Sequence, residues 1–187
     1  LHTAYRRQRQ MCIRDRDIES VKSHLVGWKN KKDINAGREW AYTGITKSQY
    51  IIEELLVNED NPDAGISDYK IFCFNGKPYC IVYDIDRYIG HKRNFYDTKW
   101  CCLNVSSDCP SFFDSGQKPK GLDDMLMVAE VLSADFPFVR VDLYYIRNKV
   151  YFGELTFYPW SGYVQFNPDE FDFILGKQFD ISSFLPF

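Results

Sequence analysis

FVRVDLYYIRNKVYFGELTFYP (Phe138–Pro159) decides how this chain is read. Two runs rich in Val, Tyr, Phe and Leu flank the polar stretch Arg147, Asn148 and Lys149, which predicts an antiparallel hairpin. If those three residues form the loop, Ile146 faces Val150, and counting outward puts Asp142 directly opposite Glu154 on one face of the sheet. A two-residue loop shifts the pairing by one and sends the two carboxylates to opposite faces. In the first register, Phe138, Arg140, Asp142 and Tyr144 share a face with Val150, Phe152, Glu154 and Thr156. Facing carboxylates about 5 Å apart repel by about 3 kcal/mol at an effective dielectric of ~20. A good cross-strand pair returns only about 0.2–1 kcal/mol. The repulsion must be offset by a bound cation, a shared proton, a salt bridge to Arg140, or exposure to water. A hard divalent ion such as Mg2+ suits such oxygens. Arg140 simply neutralising a surface acidic pair suits them equally well.

Outward from this hairpin, the chain predicts an α+β fold with a mainly antiparallel sheet and flanking helices. YKIFCF, Asn75-Gly76 and KPYCIVY read as a first hairpin on a type I′ turn, with Pro78 marking an edge or a bulge. Asp17 caps a helical stripe of Ile18, Val21, Leu25 and Trp28; Leu122, Met125, Leu126, Ala129 and Leu132 make a second. In NPDEFDFILGK, Asn167 is read as the cap, Pro168 as the first helical residue and Gly176 as the stop. QYIIEELL (residues 49–56) is read as a buried strand. Residues 84–120 are too long for a featureless connection, and such stretches often carry function. His91, Lys92 and Arg93 within it read as solvated loop charge; Asp84, Asp86 and Arg87 read as pocket residues without an assigned role.

Composition sets the outer bounds. The 187 residues are 45% hydrophobic and 17% aromatic with a net charge of −3, enough for a packed core and unlike a disordered chain. No apolar run is long enough to cross a bilayer. Five arginines and one aspartate give residues 1–16 a net +4, leaving −7 on the rest, so an acidic body argues against a nucleic-acid partner. LHTAYRRQRQMCIRDR has no secretory pattern and resembles translated sequencing adapter; it is set aside as a non-native or disordered basic segment. Position 1 is not Met, which fits a truncated gene. The six cysteines contain no Cys-x-x-Cys pair and read as reduced thiols.

Arg140-Val141-Asp142, then Glu154-Leu155-Thr156 and Pro159, resemble the ATP-grasp signature of an Arg-x-Asp strand followed by a Glu-x-Asn strand and a nearby Pro. DYKIFCFNGKP (Asp68–Pro78), HKRNFYDTKW (His91–Trp100), DFPFVRVDLY (Asp135–Tyr144) and YFGELTFYP (Tyr151–Pro159) resemble the TupA-like ATP-grasp family of bacterial envelope-polysaccharide biosynthesis, and REWAY (Arg38–Tyr42) and IIEELL (Ile51–Leu56) extend the likeness. The resemblance implies that residues 17–187 form a partial ATP-grasp domain, the C-terminal part of that fold. It implies ATP and Mg2+ as cofactors, and an acyl phosphate attacked by an amine. Asp142, Glu154 and Thr156 become the expected metal ligands, with Thr156 departing from the usual Asn. Arg140 becomes the expected catalytic cation, facing the phosphates. Glu53, Glu54 and Leu55 are expected beside adenine and ribose; Lys70 and Lys99 are expected to meet phosphate or substrate carboxylate. The implied partners are an amino acid and a carboxylated glycan or lipid-linked sugar acid, and the implied location is cytoplasmic, peripheral to the inner face of the membrane. No phosphate-covering loop is visible before residue 17, so weak nucleotide binding and little turnover are expected of this chain alone. Two rival readings stand beside the ligase: a phosphotransferase or glycosyltransfer-assisting enzyme of the same fold, and a carbohydrate-binding module stacking Trp100, Tyr158, Trp160 and Tyr163 on sugar rings.

Overall fold

The computed structural model describes residues 17–30, 51–58, 61–112 and 117–182. The chain divides into two compact units, residues 1–56 and 57–187. In the first, helix α1 (Ile18–Asn30) starts where expected, because the Ser20 backbone N–H donates to Asp17 Oδ1 at 2.8 Å. Residues 51–56 correct the reading of this segment as a buried strand: they are not in a strand, and Ile51 and Ile52 are more than four-fifths exposed. An apolar run fixes hydrophobicity but not a partner strand, and among the described residues none pairs with it. Residues 1–16, and Arg38–Tyr42 of the resemblance, lie outside the described residues.

The second unit is a six-stranded antiparallel sheet with the order β4-β3-β2-β1-β5-β6. Its strands are β1 (Asp68–Phe74), β2 (Lys77–Ile85), β3 (Lys92–Asp97), β4 (Cys102–Leu103), β5 (Phe138–Ile146) and β6 (Lys149–Thr156). Helices α2 (Leu122–Ser133) and α3 (Glu170–Gly176) complete it. Period-two alternation sorts the strand residues between two cores. Tyr69, Ile71 and Cys73 of β1 with Val139, Val141 and Leu143 of β5 face Leu122, Met125 and Ala129 of α2. On the other face, Phe72, Phe74, Val82 and Phe95 pack under Phe166 and under Phe171 and Leu175 of α3. Each fully buried aliphatic chain contributes about 1.5–3 kcal/mol. β1 is buried along its whole length, which makes it the central strand.

Both hairpins turn on two residues of positive φ. Asn75 and Gly76 (49° and 75°) form the first, as the sequence predicts. Arg147 and Asn148 (51° and 59°) form the second, which pairs Ile146 with Lys149 rather than Val150 and corrects the three-residue loop. Each return strand then carries one extra residue. In the first hairpin Phe72 pairs with Cys80 and Cys73 with Pro78, so Tyr79 bulges beside the proline that signalled it. In the second Leu143 pairs with Phe152 and Asp142 with Glu154, so Gly153 is the extra residue. The bulge cancels the shorter loop, and the two carboxylates end opposite one another after all.

The stretch 84–120 is not all loop, since it supplies β3 and β4. α3 begins later than expected: Asp169 occupies the cap position, while the Asn167 backbone is tied to Ser106. Gly176 is the last helical residue and not the stop beyond it.

Candidate functional site

The face of the sheet that packs under α3 also carries a row of charged side chains across five strands. Asp142 on β5 accepts two hydrogen bonds from Arg140, Nε to Oδ1 and Nη2 to Oδ2, both at 2.6 Å. Lys70 on β1, the cross-strand partner of Asp142, donates to Oδ2 at 3.0 Å. Arg140 Nη2 also reaches Thr156 Oγ1 at 3.0 Å and Glu154 Oε1 at 3.4 Å, and Thr156 Oγ1 donates to Glu154 Oε1 at 3.1 Å. Arg140, Asp142, Glu154 and Thr156 therefore come together as expected, and the salt bridge to Arg140 offsets the carboxylate repulsion. The Asp142 side chain is 3% exposed and that of Glu154 12%, so Glu154 is the open edge of the group.

A second opposed pair of acids continues the row and was not legible as one. The Tyr79 bulge sets Asp68 opposite Asp84, and Asp84 in turn faces Arg93 on β3. Lys70 and Arg87 hold Asp68 through Oδ2, Arg87 from 3.3 Å. Arg93 holds Asp84 through Nε at 2.6 Å and Nη2 at 3.1 Å, and reaches Asp108 at 2.5 Å. His91 Nε2 lies 3.3 Å from Asp84 Oδ2 without hydrogen-bond geometry. Arg93 departs from the expected loop charge, being a buried residue of β3, while Lys92 beside it is exposed. Counting the first hairpin with one extra residue after Pro78 would have found this pair.

Burial raises the Asp142 carboxyl pKa, but Lys70 and Arg140 more than offset it and hold Asp142 below the usual carboxylate range. Arg140 is pulled down by burial and raised further by Asp142, so it stays a permanent cation. Asp84 follows the same logic with Arg93 as the opposing charge, and ends lowered. The Tyr144 phenol is pushed up to about 12 by burial and by Asp68.

The remaining expected positions separate. Lys70 belongs to the cluster, where its ammonium is bound by Asp68 and Asp142. Lys99 lies in the exposed turn between β3 and β4, where its backbone N–H donates to Asp97 Oδ1 at 2.8 Å. Glu53, Glu54 and Leu55 are exposed residues of the first unit. Of the four rings offered to sugars, Trp100 is buried and stacked on Tyr96 at 4.1 Å, and Trp160 packs on Arg93 and Arg140; Tyr158 and Tyr163 are exposed.

A model of the TupA-like ATP-grasp family matches residues 9–180. The chain belongs to the TupA-like ATP-grasp family. The match takes in both hairpins, the charged row and the C-terminal helix, and it begins inside the segment set aside at the N-terminus. No curated protein and no solved structure matches the chain significantly.

ATP-grasp proteins use magnesium, and the donor set here fits that ion in kind. Asp142, Glu154 and Thr156 are hard oxygens gathered around a positive centre, which in this structure is the Arg140 guanidinium. Asp68 Oδ1, buried without a hydrogen-bond partner, is a further oxygen still to be satisfied in the same row. Among the described residues no group of three or more His, Cys, Asp or Glu side chains stands ready-made for a metal. Among them, too, no helix is long and apolar enough to cross a membrane.

Proposed function

We propose that this TupA-like ATP-grasp protein is an ATP- and magnesium-dependent carboxylate–amine ligase, acting through an acyl phosphate. Its acceptor is a carboxylated glycan or lipid-linked sugar acid of the bacterial envelope, its donor an amino acid, and its place the cytoplasmic face of the membrane. The observation that carries this reading is the Asp142–Glu154 pair, facing across β5 and β6 around Arg140, in a chain matched to the family over residues 9–180.

Asp142, Glu154 and Thr156 would hold the magnesium ion. When bound, that ion supplies charge neutralisation at the phosphate oxygens. Asp142 meets it already ionised, because Lys70 and Arg140 hold its proton off at neutral pH. Arg140 remains charged at every working pH and presents donors in one rigid plane, the kind of fixed cation that favours negative charge developing on a transferred phosphoryl group. Lys70 acts on the reaction through Asp142. Glu53, Glu54 and Leu55 would meet adenine and ribose; Lys99 would meet a substrate anion. Burial of Lys70, Arg140 and Asp142 keeps water from these three charges and strengthens the interactions among them.

The test is release of ADP from Mg-ATP in the presence of a carboxylated envelope glycan, with and without an amino acid. A ligase releases ADP only when both acceptor and amine are present. Release with the glycan alone, and phosphate retained on it, would make the protein a phosphotransferase. No release under any combination, with ATP bound, would remove the ligase reading.

A further inference from the structure

Trp160 sits in the turn Pro159–Gly162 in a conformation that bulky residues avoid: φ is 50° at Trp160 and 56° at Ser161, followed by 75° at Gly162. Three successive left-handed residues carry the indole back over the sheet. The centroid of the ring then lies 5.0 Å from Arg93 Cζ and 5.7 Å from Arg140 Cζ. These arginines stand on β3 and β5, with β2 and β1 between them, and serve different acids: Arg93 binds Asp84 and Asp108, Arg140 binds Asp142 and Glu154. Phe72 and Phe166 make T-shaped contacts with the indole, with ring centroids 6.1 Å and 6.5 Å away. A guanidinium spends its N–H groups in its plane and its face on an aromatic ring, so one residue can fix the plane of both cations without competing for their hydrogen bonds.

We infer that Trp160 is a positioning residue: its ring seats both guanidinium groups and couples the Asp84–Asp108 set to the Asp142–Glu154 pair. The inference rests on the reading above only in taking the Asp142–Glu154 pair as the working end of the site; the coupling itself exists with or without ATP. It differs from a structural role for a packed tryptophan, because a change made at Glu154 is felt at Arg93 through the ring in addition to any effect carried by the charges. The other route, from Asp84 by way of Lys70 to Asp142, does not involve Trp160 and serves as the internal control.

The experiment follows the side-chain Nε–Hε resonances of Arg93 and Arg140 by 15N NMR in the full chain. Trp160→Leu removes the ring current from both, so both Hε resonances move downfield together. Glu154→Gln shifts the Arg93 resonance in the wild-type background and shifts it less in Trp160→Leu, where only the route through Lys70 remains. A Trp160→Leu chain that does not fold is replaced by Trp160→Phe, whose smaller ring reduces the displacement of both arginines in parallel. Movement of one arginine alone, no response of Arg93 to Glu154→Gln in the wild type, or an equal response without the indole would each overturn the inference. Nucleotide is absent from the measurement, so failure of the ligase reading leaves its outcome untouched.

Discussion

Asp142→Asn swaps one oxygen for an amide nitrogen at almost constant volume, and its cost can be worked from the contacts. The carboxylate accepts two 2.6 Å bonds from Arg140 and one of 3.0 Å from Lys70, and both cations are buried with it. The neutral amide leaves two buried positive charges facing one another with only Asp68 and Glu154 to share. Removing one partner of a buried ion pair costs about 3–5 kcal/mol, mostly from the charge left behind. Against a total stability of about 5–15 kcal/mol, that loss is large. Urea unfolding followed by near-ultraviolet circular dichroism measures it, with the denaturant slope unchanged from wild type. The pH dependence has a definite sign. The folded-state pKa of Asp142 is lowered, so its contribution is complete above the unfolded-state value and disappears as pH falls through the folded one. The wild type loses this term below about pH 4, and the variant never had it, so the gap between them narrows in acid. A gap under about 1 kcal/mol at neutral pH, typical of exposed pairs, or one independent of pH, would refute the reasoning.

Gly153→Ala tests the bulge: the added Cβ would lie 2.9 Å from the Asp142 carbonyl oxygen and 3.1 Å from Tyr144 Cε2, against backbone that cannot yield cheaply. Overpacking of that kind costs about 1–3 kcal/mol, read as a lower urea midpoint. Asn148→Gly relieves the positive φ of 59° and is expected to leave stability unchanged or slightly raised, whereas Asn148→Val lowers it; thermal melts of both separate the outcomes. Alkylation read peptide by peptide should modify exposed Cys101 and Cys102 in the native protein, and Cys73 and Cys80 only after denaturant. Burial pushes the Cys73 thiol up to about 11, so little thiolate exists there at neutral pH even where reagent penetrates.

The first hairpin was legible because Asn-Gly names its own turn, and Pro78 marked the irregularity that follows. The second was legible only in outline. Arg147-Asn148 carries no glycine, so nothing local announces a two-residue turn; the one local sign of the bulge is Gly153, an isolated glycine within a strand. The two departures cancel, which is why the Asp142–Glu154 pairing came out as counted. β3 escaped notice because HKRNFYD opens on charge; Arg93 is strand-like only once Asp84 is known to wait opposite, and that is a fact of register, not of local composition. IIEELL misled in the other direction, since a dense apolar run does not reveal whether a neighbour exists to bury it. Within the site, Arg140, Asp142, Glu154 and Thr156 could be placed from spacing and resemblance together. The engagement of Lys70 by Asp68 and Asp142, and the bridging position of Trp160, depend on strands far apart in the chain and had no local signature.

Manganese can replace magnesium and broadens the resonances of nuclei near it, so titrating Mn2+ with ATP into the full chain while recording the signals of Asp142, Glu154 and Thr156 tests the central claim even where binding is weak. Selective broadening of these three, abolished in Glu154→Gln and restored by none of the neighbouring acids, is the predicted result. Broadening centred elsewhere in the sheet, or an unchanged pattern in Glu154→Gln, would contradict the assignment of this pair as the cation site.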